Sequence, residues 1–276
     1  MVAWQLIINP DISGRKNMEY DLELFRQYEM GAIPSTLRIY SWLPQCISLG
    51  YSQNIEKEID TVKASALGWD LVKRPTGGGI VFHNEAEVTY SLVTAIDNPL
   101  LPQGLVPSYK KLSEAIVYAL KIVGIEAEIQ NPNYKSQNKF PHQNPTCSSG
   151  VLAPALRTQC NPTASGGVFW CGNKSQFLNS KSQLCFSYPA EYEIVVNGKK
   201  IVGSAQKRGK KALLQQGSIF VRNPGQEVFS LLKQPVKEYN AISVEEVLGK
   251  EIGFIELSKA IVNGFEKVLE VTFNDK

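Results

Sequence analysis

The chain has 276 residues and a formal charge of +3, with 43% apolar and 20% charged residues, the balance of a soluble protein of one large domain, or one domain with a small appendage. So small a charge argues against nucleic acid as partner, though it leaves room for a local basic patch facing an acidic surface. Met1-Val2-Ala3-Trp4-Gln5-Leu6 has no basic leader pattern, and no apolar run reaches membrane-spanning length, so the expected setting is the cytoplasm, away from membranes.

Trp4–Ile8 reads as a first strand. Asn17 is placed to cap a helix that carries Met18, Leu22, Phe25 and Tyr28 on one stripe and stops at Gly31. Thr36 to Trp42 alternates like a strand, and Ile47 to Gln53 makes a short second strand and turn. One helix is expected from Glu56 to Leu67, ended by Gly68, followed by a strand from Asp70 to Arg74.

The chain then runs through Arg74-Pro75-Thr76-Gly77-Gly78-Gly79-Ile80-Val81-Phe82-His83 into a strand from Glu87 to Val93. Three glycines between strands are unfavourable in backbone entropy. Two readings account for them. They form a tight turn that needs positive φ, or a bare stretch of backbone against which a ligand lies, with Arg74 facing an acidic group on it. A P-loop is excluded because no Gly-Lys-Ser/Thr follows, and a dinucleotide fingerprint because a strand rather than a helix follows.

A helix capped by Ser108 is expected through Val123, burying Leu112, Ile116, Ala119 and Val123 and ending at Gly124. Glu126–Gln130 is a short strand. From Asn131 to Gln183 the composition turns to Asn, Gln, Ser, Pro, Thr and Gly with little periodicity, the pattern of a long loop, with Val168-Phe169-Trp170 as an apolar anchor. Order returns with Glu191–Val196, Asn197-Gly198 and Lys199–Gln206. This is a hairpin signature, because Asn-Gly supplies the type I′ turn. Leu213–Val221 returns as a strand, and helices are expected near 226–233, 244–248 and 257–269.

The five cysteines (Cys46, Cys147, Cys160, Cys171, Cys185) are odd in number and irregularly spaced, which fits a reducing compartment better than a disulfide framework. Cys185 precedes the hairpin that carries Lys200. A thiol beside an ammonium ionises more readily and is a better nucleophile. The competing reading is a small buried hydrophobe. His83 is either a base or a hydrogen-bonded structural group. No His/Cys/Asp/Glu cluster has metal-ligand spacing, so no metal is expected. Lys207-Arg208-Gly209-Lys210-Lys211 is a solvated turn or a docking patch for an acidic carrier protein.

Three ordered motifs carry a family resemblance. Arg74 to Gly79 with His83 and Thr89-Tyr90-Ser91 resembles the signature of the biotin/lipoate protein ligase superfamily. Arg38 to Pro44 with Ser48 to Asn54 resembles the upstream block of its lipoate branch. Gly198-Lys199-Lys200-Ile201-Val202-Gly203-Ser204-Ala205-Gln206 with Gln216-Gly217-Ser218 resembles that branch's lysine motif. Cys185-Phe186, then Pro189, Tyr192-Glu193 and the lysine motif, is similar to the cysteine-dependent octanoyltransferases of that superfamily.

The resemblance implies an α+β fold, a mixed and largely antiparallel β-sheet flanked by helices. Residues 1–222 would form the catalytic domain, with 131–183 as a polar insertion, and 223–276 a helical tail packed on it. It implies Cys185 and Lys200 as catalytic residues. Arg74, Thr76, Gly77, Gly78, Gly79, His83, Gly203, Ser204 and Ala205 would line a tunnel for a medium-length acyl chain. The implied reaction moves an octanoyl group from acyl carrier protein, through an acyl-Cys185 thioester, to a lysine of a lipoyl domain or of the glycine-cleavage H protein. A monomer working without cofactor is expected. Two alternatives stay open: an ATP- and Mg-dependent lipoate–protein ligase, and a non-catalytic lipoyl-binding protein.

Overall fold

Strand order follows from where the apolar alternation finds cover. The computed structural model describes residues 2–130, 169–170, 192–236 and 239–275. Its elements begin β1 (Val2–Ile12), α1 (Gly14–Glu29), β2 (Thr36–Trp42), β3 (Cys46–Leu49), α2 (Ile55–Glu58), α3 (Thr61–Ala66), β4 (Asp70–Lys73), β5 (Val81–His83), β6 (Val88–Ala95), α4 (Leu105–Ile122) and β7 (Glu128–Ile129). They continue with β8 (Phe169–Trp170), β9 (Ile194–Val196), β10 (Lys199–Arg208), β11 (Ala212–Ile219), α5 (Val244–Leu248), α6 (Phe254–Leu269) and β12 (Val271–Asp275).

Among the described residues nine strands form one sheet in the order β12-β1-β2-β6-β11-β10-β9-β7, with β8 alongside β10. Within this sheet only β12–β1 and β1–β2 pair parallel; its other pairs are antiparallel. A second sheet, β4-β3-β5, carries the glycine segment between its outer strands. The mixed, largely antiparallel α+β architecture expected from the sequence is what is found.

One face of the large sheet is covered by α4 and α6, and the main core of Leu37, Ile39, Leu92, Ile116, Ile201 and Ile261 lies there. The helices approach so closely that a Cβ on Gly264 would fall 2.2 Å from the carbonyl oxygen of Ala115. The opposite face is covered by α1. Every residue of β2 is therefore buried, although its sequence alternates. Leu37 and Ile39 enter the main core, while Arg38 and Tyr40 meet Asp21 of α1.

Several boundaries moved, each for a local reason. Helix α1 starts at Gly14 with Ser13 before it, and Asn17 lies inside it, buried. The helix is thus set by Asn17 and Asp21, one turn apart and facing β2. Its Leu22 is half-buried, and Leu24 takes the buried place beside Phe25. The helix expected from Glu56 to Leu67 is broken at Ile59, which is extended, fully buried and bridged to Leu232; Asp60 then caps α3 by accepting from Lys63 N at 3.0 Å. Burial of one isoleucine outweighs helical continuity there. Helix α4 begins at Leu105, after Gly104 at φ +101°, leaving Ser108 inside it. The Asn197-Gly198 turn has φ +50° and +74°, as a type I′ hairpin requires.

Residues 223–276 hold the expected helices near 244–248 and 257–269, and also β12, which was not anticipated. That strand pairs with β1 from Val2↔Val271 to Leu6↔Asp275 and closes one edge of the main sheet.

Candidate active site

Where β2, β5, β6, β10 and β11 converge they enclose a small slot. Trp42, Arg74, Thr76 and His83 line it, together with Gly203, Ser204, Ala205 and Gln216. Six of the expected binding residues are therefore brought together from two distant stretches of chain. The free volume is about 30 Å³, room for about one or two waters. An eight-carbon chain would have to part these walls rather than enter an open tunnel.

Arg74 does not point free. Its Nη1 donates to Ser48 O (2.8 Å) and Ser48 Oγ (2.6 Å), and its Nη2 to the carbonyls of Gly77 (3.1 Å) and Gly79 (2.7 Å). The guanidinium clamps the glycine segment, so pairing with a ligand's acidic group would compete with these bonds. Gly78 has φ +100°, as the turn reading required, and its carbonyl oxygen would lie 2.0 Å from a Cβ on Gly50. Close backbone approach therefore explains Gly50. Gly77, Gly78 and Gly79 are not among the slot's lining residues.

His83 lies flat against Trp42, ring centroids 3.8 Å apart at 14°. Burial, reinforced by the positive charge of Arg74, holds its pKa well below the usual histidine value. The neutral ring then donates from Nδ1 to Glu87 Oε1 (2.5 Å) and accepts at Nε2 from the Ser48 hydroxyl (2.5 Å). Serine, histidine and carboxylate in line look like a hydrolytic triad. Here, however, Ser48 is fully buried, does not border the slot and receives Arg74 at its oxygen. The chain holds His83 in place rather than activating a nucleophile.

Behind the slot, Asp21 ties the wall together. Its Oδ1 accepts from Arg38 Nη1 (2.8 Å) and Ser91 Oγ (2.7 Å), and its Oδ2 from Tyr40 Oη (2.9 Å) and Gln216 Nε2 (2.7 Å). Gln216 Oε1 accepts in turn from Thr76 Oγ1 at 2.7 Å. The sequence reading gave Asp21, Ser48, Glu87 and Gln216 no role. The motif blocks contain Ser48 and Gln216, and the other two are hinted at by spacing alone, Glu87 four residues after His83 and Asp21 four after Asn17.

Lys200 stands three residues before Gly203 on β10. It is 1% exposed, and its Nζ lies 2.7 Å from Glu193 Oε1. Burial raises the Glu193 pKa, and Lys200 opposes that rise. Lys200 is not among the residues lining the slot. Cys185, the expected nucleophile, and the stretch 131–183, apart from Phe169–Trp170, lie outside the described residues, as do Cys147, Cys160 and Cys171. Phe169–Trp170, read as an anchor, forms a short strand against Gln206 and Lys207 of β10. Cys46 is buried, and desolvation pushes its thiol pKa well up, which leaves it a poor nucleophile. Of the basic turn, Arg208 is folded back onto Ser108 Oγ and Ile96 O, and Lys207 lies over Phe25, while Lys210 and Lys211 are exposed. Among the described residues no group of acids, histidines and cysteines could hold a metal, and no helix is long and apolar enough to cross a membrane.

Such a sheet, with Arg74, Thr76 and His83 from around the glycine segment and Gly203–Ala205 of the lysine hairpin bordering one slot, defines a class. The family model described as the lipoyl protein ligase A/B catalytic domain matches residues 13–266, and the chain belongs to that family. Within it, the octanoyltransferase LipM of Anoxybacillus flavithermus is 32% identical, the match covering 98% of this chain and 87% of that protein. The octanoyltransferase LipM of Clostridioides difficile is 31% identical, over 99% and 89%. Among solved structures, a lipoate-protein ligase A bound with ATP superposes with a TM-score of 0.68 at 21% identity, covering 100% of this chain and 88% of that one. The bi-partite lipoate protein ligase of Thermoplasma acidophilum gives 0.67 at 19%, covering 100% and 87%. These structural likenesses establish the fold.

Proposed function

We propose that this protein is an octanoyltransferase of lipoate biosynthesis. It takes an octanoyl group from a carrier-protein thioester and delivers it to a lysine ε-amine on a lipoyl domain or the glycine-cleavage H protein. In the first step the Cys185 thiolate attacks the thioester carbon. A new C–S bond forms, the bond to the carrier sulfur breaks, and that sulfur takes up a proton. In the second step the acceptor amine attacks the octanoyl-Cys185 carbon, a C–N bond forms, the Cys185 sulfur leaves, and the nitrogen sheds its proton. No nucleotide is needed, because the thioester is already activated. Lys200 favours the thiolate and donates a hydrogen bond to the carbonyl oxygen as charge develops on it. Arg74 keeps the glycine segment in place, and the slot between His83 and Gly203 opens to take the chain.

The observation that carries this reading is the near full-length similarity to proteins named octanoyltransferase LipM. The buried Lys200, three residues before the Gly203–Ala205 wall on β10 and paired with Glu193, supports it. The test is octanoylation of an apo lipoyl domain by octanoyl-carrier with and without ATP. Transfer independent of ATP and lost in Cys185→Ala is expected. Transfer from free octanoate or lipoate that requires ATP would replace this reading with nucleotide-driven ligation.

A further inference from the structure

Glu193 has three features that its place in a hairpin does not require. It is 4% exposed and lies 2.7 Å from Lys200 Nζ through Oε1, while its Oε2 is buried with no hydrogen-bond partner among the described residues. A buried carboxylate oxygen left without a donor is unfavourable by an amount a fold seldom tolerates without reason.

The residue before it is strained. Tyr192 has φ +70°, a region that bulky side chains rarely adopt and that concentrates at functional sites. That conformation is held from two sides. Tyr192 N donates to Gln130 O (3.1 Å), and Gln130 N to Glu193 O (2.8 Å). Lys110 of α4 lies over the Tyr192 ring, 4.1 Å from its centroid. Backbone strain, a strand partner and a cation–π contact together turn one carboxylate inward against one ammonium.

We propose that Glu193 is a positioning residue that keeps the Lys200 ammonium charged and directed toward the acyl carbonyl. This rests on the role given to Lys200 above and goes beyond it by naming the group that controls it. A buried lysine on its own tends to lose its proton, and a lysine without charge neither favours a thiolate nor stabilises an oxyanion. Among the described residues the titratable groups that interact with Glu193 are Lys200 from β10 and Tyr90 from β6. Tyr90 is neutral near pH 7 as any tyrosine is, and burial raises its pKa further. Lys110 lies over the Tyr192 ring and is not among the charges that act on Glu193. Lys200 is therefore the charge that Glu193 governs.

The experiment follows acyl-enzyme formation from octanoyl-carrier across pH in the full chain, for wild type, Glu193→Gln, Glu193→Asp and the pair Lys200→Arg with and without Glu193→Gln. Glu193→Gln should move the alkaline limb down by about one pH unit or more, which is about a tenfold loss of rate above the limb and little loss below it. Glu193→Asp should recover most of that shift. Arginine stays charged throughout, so on the Lys200→Arg background Glu193→Gln should leave the limb where it is. A loss equal at every pH, or an unmoved limb in Glu193→Gln, overturns the proposal, since either would assign Glu193 to packing alone. If wild type forms no acyl-enzyme, the proposed reaction itself has failed. The Lys200 titration followed by NMR then reads the pairing directly: a shift to lower pH in Glu193→Gln supports the proposal, and no shift overturns it.

Discussion

Asp21 and Glu193 are both buried carboxylates facing a buried cation, and they have opposite surroundings. Asp21 accepts four hydrogen bonds, from Arg38, Ser91, Tyr40 and Gln216. Glu193 is held through one oxygen by Lys200, and its other oxygen has no partner among the described residues. The cations differ in kind as well. Arginine keeps its proton inside a protein, whereas lysine sheds it when burial is not opposed. The Asp21 cluster thus has no inexpensive way to neutralise if broken, and the Glu193–Lys200 pair does. One behaves as scaffold, the other as the pair that sets the charge of a single lysine.

Stability separates them most strongly. Asp21→Ala strands the Arg38 charge between α1 and β2 and is expected to lower unfolding free energy by about 3–5 kcal/mol in urea titrations. Glu193→Gln, whose lysine partner can neutralise, should lower it by less than about 2 kcal/mol. A reversed order would undo the distinction between scaffold and reacting pair.

Activity should rank the two regions the other way round. Lys200→Ala removes the proposed oxyanion donor and should slow transfer by about 10²–10³-fold, with a melting transition that remains cooperative. A drop of only a fewfold would mean that the ammonium is not at the reacting carbonyl.

Gly50→Ala probes the scaffold side alone. Its Cβ would press on the Gly78 carbonyl, so about 1–3 kcal/mol of stability should be lost as the glycine segment shifts. The shift should appear as a raised KM for the acyl donor more than as a lowered kcat. An unchanged KM would separate the glycine segment from the acyl site.

The smallest effect is on pH dependence. His83 in the fold binds its proton more weakly than in the unfolded chain. Below a pH of about 6.5 the unfolded state therefore takes up more protons, and stability falls as pH falls. Urea midpoints measured from about pH 8 to 5 should drop below about 6.5, and His83→Gln should flatten that drop. A flat wild-type profile would mean that the fold does not disfavour the charged ring.

Much of this was legible from the residues. The glycine segment, the Asn197-Gly198 hairpin and β2 could be read because each rests on a local rule: positive φ, turn geometry, alternation. The α1 face could not. Asn17 and Asp21 look like an N-terminal cap and a first-turn acid until β2 places Arg38 above them, and a polar side chain reads as exposed when its partner lies on another strand. Ile59 broke a helix for a contact with Leu232, far along the chain. β12 went unseen because its partner is β1, at the other end of the sequence. The inward turn of Glu193 depends on a strained Tyr192, which no propensity signals.

The most direct measurement is the intact mass of the protein after exposure to octanoyl-carrier without nucleotide. A gain of one octanoyl group, removed by hydroxylamine and missing in Cys185→Ala, is expected. No gain, or a gain that persists in Cys185→Ala, would contradict transfer through an acyl-cysteine.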